Sequence, residues 1–317
     1  MRTFRHMLTV LLLWAAGPFA LRAQPSLPAA PAGDADTASW SRYFAAWEAA
    51  APTDPQLWID RFNRFFDRAR RTELVLRPDD GSGRLPGESD EALALQDSTD
   101  RTAGLLCERT TFDDTLLARA LEAIDRGIAL HPDRLDMRLG RAAACRHAGR
   151  WLQMAETLGS LLDRAERNGG AWTAPDGAPL RIDPPSLVAD WLQDYVNALF
   201  DTAADEAGRA LERLVVRETE YCPASAVACN NRAVMHYAAG NADSALEWFL
   251  RAAEADPHDA MIRYNIGYLY AARGDRANAR RWWTPLLDSQ DAAFREAAAE
   301  ALEGLEREER NSVQPDI

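Results

Sequence analysis

The chain of 317 residues has 36 basic and 49 acidic side chains, a formal charge of −13, and every basic residue is arginine. Without lysine there is no P-loop lysine on a nucleotide's phosphates, no Schiff base to pyridoxal phosphate and no strand lysine of a protein kinase. The acidic balance excludes a phosphate-backbone binder, and with it nucleic acid as a partner, while 47% hydrophobic residues suffice for a sizeable core in one or two domains.

Residues 1–23 read as a secretory signal peptide. Arg2 and Arg5 precede an apolar stretch from Met7 to Ala16, Gly17-Pro18 breaks it, and Ala23 offers a small residue at the cut. A bilayer span needs about 20 apolar residues, so this run is too short for an anchor and the mature chain is expected to lack a membrane span. No cysteine lies near the cut to carry a lipid. Residues 24–38 are a Pro/Ala-rich flexible lead-in.

From 39 to 168 the chain reads as an irregular helical region. A capping helix is expected over 39–50, and "DPQLWIDRFNRFFDRARR" (54–71) supplies a first helix. Its partner is "FDDTLLARALEAIDRGIALHP", with Leu117, Ala120, Leu121, Ile124 and Ile128 on one face. Residues 73–110, between the two, are rich in Gly, Asp and Ser and are expected to form a long surface loop. Leu135–Asn168 then gives a further pair, residues 169–186 a loop, and 187–221 another helical pair within a C-terminal helical region (187–310).

The strongest pattern is a self-similarity at 34 residues. When 226–259 is laid on 260–293, Asn231 falls on Asn265, Ala233 on Gly267, Gly240 on Gly274, Ala245 on Ala279 and Phe249 on Trp283. The small residues let two helices approach, the glycines allow a tight turn, and Pro257 stops the second helix. Neither unit can bury its apolar face alone, so the units must stack. A last amphipathic helix, Ala292–Arg310, has the polar outer face of a terminal cap, and 311–317 is a disordered tail.

In "NNRAVMHYAAGNADSALEWFLRAAEADP" and "NIGYLYAARGDRANARRWW" the chain resembles the tetratricopeptide repeat (TPR) family. Ala233 and Gly267 match the family's small residue at the eighth position, Tyr270 its aromatic at the eleventh, Ala245 and Ala279 its alanine at the twentieth, and Pro257 its closing proline. Cys229 and Arg263 replace the family's tryptophan at the fourth, and Asp291 its second proline. The resemblance implies an all-α, helix–turn–helix solenoid with irregular N-terminal repeats, a long inserted loop and a C-terminal capping helix. It also implies a groove lined by the first helices, here Asn230, Val234, Tyr237, Met261, Tyr264, Asn265 and Tyr268, and a protein or peptide in it. Tyrosines suit such a groove, combining contact area with a polar tip. The family's dicarboxylate clamp uses lysines that are missing here, so an anionic tail would have to rely on Arg263 and Arg232.

An exported chain with four cysteines favours disulfides. The expected pairings are Cys222 with Cys229 across a short turn, and Cys107 with Cys145; the alternative is four reduced thiols filling small core positions. Their spacing fits no zinc site.

His131-Pro132-Asp133 spells the tripeptide of J-domain co-chaperones, but the preceding helix lacks a basic run and Pro132 already ends a repeat, so a structural turn is expected. No G-x-S-x-G or H-E-x-x-H occurs, and paired acids such as Asp113-Asp114 read as caps or solvated charge. The expectation is a non-catalytic, cofactor-free, monomeric scaffold for protein–protein interaction, in the bacterial periplasm or secreted. The competing expectations are an enzyme with an acidic cleft beneath the 73–110 insert, with carbohydrate as its candidate substrate class, and a self-associating structural protein of the envelope.

Overall fold

The computed structural model describes residues 29–33, 35–77, 92–96, 102–182 and 186–313. The expected signal peptide, much of the insert and the end of the expected tail (314–317) lie outside the described residues. The architecture is an all-α helical repeat with two small sheets inserted. The chain divides into two compact units: one runs to Arg150 and takes in Thr173–Ala178, the other comprises Trp151–Trp172 and everything from Pro179 onward.

In the first unit, α1 (Thr37–Ala50) starts at Asp36, whose carboxylate accepts from the Ser39 N–H at 2.6 Å. α2 (Pro55–Ala69) starts with Asp54 as cap and proline in the first turn, and buries Leu57, Trp58, Phe62 and Phe65. It packs on α3 (Asp114–Leu130), which buries Leu117, Ala120, Leu121 and Ile124. The helices cross closely at Gly127, where a Cβ would lie 2.9 Å from Trp58 Cβ. α4 (Leu135–His147) packs against α3.

The insert corrects the expectation of a surface loop over 73–110. It holds an antiparallel sheet, β1 (Arg70–Arg77), β2 (Ala92–Gln96) and β3 (Thr102–Phe112), in the order β1-β3-β2. The Gly/Asp/Ser composition behind that expectation is concentrated in 78–91 and 97–101, outside the described residues. The flanks alternate and are β-prone, as in Thr72-Glu-Leu-Val-Leu76. The register pairs Arg70 with Phe112, and the Asp113 N–H donates to the Ala69 carbonyl at 2.8 Å. The strands therefore close the insert at its root, and α2 and α3 can pair although more than 40 residues separate them.

The second unit begins with α5 (Trp151–Asn168), so the expected repeat Leu135–Asn168 is divided between the units. A two-stranded hairpin, β4 (Ala171–Thr173) with β5 (Pro179–Arg181), occupies the expected loop, and α6 (Ser186–Phe200) and α7 (Asp205–Tyr221) follow. Arg217 on α7 pairs with Asp163 at 2.7 Å and Glu166 at 2.6 Å on α5.

The two regular repeats are α8 (Ala226–Ala238) with α9 (Ala242–Ala255), and α10 (Ala260–Ala272) with α11 (Arg276–Trp283), which runs into a 3₁₀ turn at Thr284–Asp288. Both first helices end alike. Gly240 and Gly274 sit at φ of 78° and 77°, and the next N–H reaches back five residues, Asn241 to the His236 carbonyl and Asp275 to that of Tyr270, each at 2.9 Å. Only glycine takes this left-handed cap without strain. α4 ends the same way at Gly149, with φ of 64°, so the cap recurs where the rest of the pattern has faded.

One core cluster joins Cys229, Ala233, Ala245, Leu246, Phe249, Ile262, Ile266 and Leu269; another joins Ala279, Trp283 and Leu286 to Ala298 and Leu305 of α12 (Ala292–Val313). α12 is tied to α11 through Arg276–Glu308 at 3.4 Å and Arg280–Glu309 at 3.1 Å. It is helical to Val313, three residues into the expected tail. Among the described residues no helix is long and apolar enough to cross a membrane.

Candidate functional site

The residues expected to line a groove separate into three environments. Tyr237 on α8 and Tyr268 on α10 are 44% and 46% exposed, and Met261, one to two turns before Tyr268, is 42% exposed. The two rings meet edge to face with centroids 6.0 Å apart, and the Tyr237 hydroxyl donates to the Tyr268 hydroxyl at 3.2 Å. That hydrogen bond, with a smaller contribution from burial, raises the Tyr237 pKa above the usual phenol value. The pair bridges two repeats and presents aromatic surface with polar tips, the combination that anchors peptides.

Tyr264 and Val234 belong to the packing. Tyr264 is half-buried between Trp283 and Phe294, at centroid distances of 5.9 and 6.1 Å, and its carbonyl accepts from Trp283 Nε1 at 3.0 Å. Val234 packs against the core cluster of the first repeat. Asn265 is half-buried, whereas Asn230 is 8% exposed with a buried side-chain oxygen that has no hydrogen-bond partner. Tyr237, Tyr268 and Met261 are thus the exposed members of the expected set.

Arg232, one of the two arginines an anionic tail would have to rely on, is engaged within the fold. Its guanidinium lies 4.2 Å from the centroid of the Trp248 ring and donates to Thr219 Oγ1 at 2.7 Å. Arg263 holds the Pro257 carbonyl with Nε at 2.6 Å. The expected disulfides Cys222–Cys229 and Cys107–Cys145 are not formed, and all four cysteines are unbridged and buried. Cys229 Sγ donates to the Pro223 carbonyl at 3.6 Å and Cys107 Sγ to that of Val75 at 3.7 Å. Cys145 is wholly enclosed on α4. Each thiol fills a local core position. Burial foremost, with Glu218 beside it, pushes the Cys222 pKa up to about 12, which keeps it a protonated, unreactive thiol.

A buried polar knot beneath α8 escaped the sequence reading. Asn231 Nδ2 donates to Gln193 Oε1 of α6 at 3.0 Å and to Glu218 Oε2 of α7 at 3.3 Å, tying three helices. Glu218 is 0% exposed, and its other oxygen has no partner. Desolvation drives its pKa up to about 7; the Asn231 hydrogen bond opposes this, and the charge of Asp190 adds to it. Spacing could not find it, because Glu218 sits on a helix outside the 34-residue frame. Glu218 is the one buried carboxylate among the described residues, so they contain no buried acid pair of the kind an acidic-cleft enzyme would need. His131 forms a turn, with its ring Nε2 donating to the Thr53 carbonyl at 2.9 Å and its carbonyl accepting from the Arg134 N–H at 3.0 Å.

No protein-family model matches the chain, and no curated protein sequence matches it. Among solved structures it is similar to the assembly chaperone of RpL4, Acl4, at 14% identity and a TM-score of 0.40, covering 63% of this chain and 84% of that one. It is also similar to YrrB, described as a TPR protein with an unusual peptide-binding site, at 19% identity and a TM-score of 0.34, covering 60% and 85%. TTC0263, a thermophilic TPR protein of Thermus thermophilus, matches at 19% identity and a TM-score of 0.35, covering 58% and 90%.

Proposed function

We infer that this tetratricopeptide-type helical-repeat chain is a non-catalytic scaffold for protein–protein interaction, and that it holds a peptide of its partner against Tyr237, Tyr268 and Met261. The observation that carries the reading is the exposed tyrosine pair. Two aromatic rings from neighbouring repeats stand side by side in solvent, where neither closes a core. Rigid aromatic groups with hydroxyl tips give contact area at little conformational cost. The peptide expected there carries apolar side chains for the ring faces and Met261, with backbone groups for the hydroxyls. The protein is further proposed to act as an exported monomer in the cell envelope, on the strength of Arg2, Arg5 and the apolar run before Gly17-Pro18.

The test is cross-linked affinity capture from the native envelope fraction, comparing the parent with Tyr237→Ala/Tyr268→Ala. A recurrent stoichiometric partner lost in the variant, at unchanged helical circular dichroism and melting, is the expected result. Equal capture by both would overturn the site. Export is checked by N-terminal sequencing of the protein from its own cell: a mature chain starting at Gln24 is expected, and an unprocessed cytoplasmic chain would contradict it.

A further inference from the structure

Trp248 and Trp282 occupy the same place in the two regular repeats, 34 residues apart, and are finished differently. Trp248 has Arg232 and Arg251 within 4.2 and 4.4 Å of its ring centroid, and Arg251 pairs with Glu247 at 2.8 Å. That repeat supplies its own carboxylate. At the matching position, Glu247 becomes Arg281 and Arg251 becomes Pro285. Arg263, Arg281, Trp282 and Pro285 surround an open depression of about 190 Å³. Arg281 is exposed, and neither it nor Arg263 forms an ion pair with a described residue. In a chain of net charge −13, where Arg273, Arg276 and Arg280 of the same repeat are each paired with a carboxylate, two guanidinium groups beside one indole without a carboxylate stand out.

We propose that this depression is a binding subsite for a glutamate side chain of an acidic peptide segment, separate from the tyrosine patch. The two arginines receive the carboxylate, in place of the glutamate the preceding repeat provides internally. Trp282 and Pro285 form apolar walls for its methylene stem. Arg263 is pre-oriented by its bond to the Pro257 carbonyl, so less side-chain freedom is lost on binding. The apolar walls of Trp282 and Pro285 favour a side chain with a methylene stem over a free anion. A site so placed gives an acidic partner a second foothold, and linked footholds strengthen attachment beyond either alone.

The probe is N-acetyl-hexaglutamate amide, followed by the indole N–H resonance of Trp282 in the full-length mature protein, with N-acetyl-hexaglutamine amide as control. Saturable shifts are expected with the glutamate peptide only, weakening at least tenfold in Arg281→Gln and vanishing in Arg281→Glu. Arg281 is exposed, so neither change should lower the melting temperature. Tyr237→Ala/Tyr268→Ala should leave the titration unchanged, which separates failure of this subsite from failure of the tyrosine site. Unchanged affinity in Arg281→Glu, no shift with hexaglutamate, or saturation by acetate at the same concentration would overturn the proposal.

Discussion

The two regular repeats share one frame and solve it with different volumes. In the first, Ala233 faces Phe249; in the second, Gly267 faces Trp283. A Cβ on Gly267 would lie 2.5 Å from Trp283 Cδ1 and 2.8 Å from Cε2, so the larger ring is accommodated because the helix opposite has lost its methyl group. The packing constraint falls on the pair, and cores accept such exchanges when total volume is kept. The polar positions differ as well. Asn231 is held by Glu218 from the preceding helix, whereas its counterpart Asn265 has Ala252 where that glutamate would be. The first repeat is therefore coupled to the titration of a buried carboxylate that has no counterpart beside the second.

The largest expected effect tests that last difference. The folded-state pKa of Glu218 is raised to about 7 from 4.5, so its contribution to stability is complete below pH 4.5 and is lost as pH rises through 7. A shift of this size corresponds to about 3 kcal/mol at most. Glu218→Gln should match the parent near pH 4.5 and exceed it by about 2–3 kcal/mol at pH 8.5 in urea unfolding. Parallel curves across that range would remove Glu218 as the source.

Gly267→Ala comes next, with a loss of about 1–3 kcal/mol from overpacking against Trp283. Adding Trp283→Phe recreates the pairing of the first repeat and should recover part of the loss. A double-mutant cycle without coupling would show that the two positions do not constrain each other. A smaller loss of stability than that of Gly267→Ala is expected for Asp275→Ala, which removes the cap accepting from the Asn278 N–H at 3.1 Å at the start of α11. Least of all, Tyr237→Phe should shift the melting temperature by less than Asp275→Ala does, since the hydroxyl pair is exposed. A larger loss would mean the tyrosines hold the repeats together.

The 34-residue frame, its small residues and its turn glycines were legible because each answers a local demand: close approach, a left-handed cap or a helix stop. The groove was legible only in part. Helical spacing put Tyr264 and Tyr268 on one face, but Tyr264 is claimed by Trp283 and Phe294, a contact with α12 that lies outside the repeat frame. The sheet in the insert was masked by the turn-forming composition between its strands. The cysteine pairing rested on compartment, while the thiols are placed by core packing. The open surroundings of Trp282 were within reach, since the exchange of Glu247 for Arg281 is visible in the aligned repeats.

A scaffold of this kind requires that the tyrosine pair touch a partner. The most direct measurement replaces Tyr237, Tyr268 or the equally exposed Leu287 with a photo-cross-linking benzoylphenylalanine and irradiates the protein in its native setting. A discrete adduct of one size from positions 237 and 268, with none from 287, is the predicted result. Adducts from 287 alone, or equally from all three, would contradict the assignment.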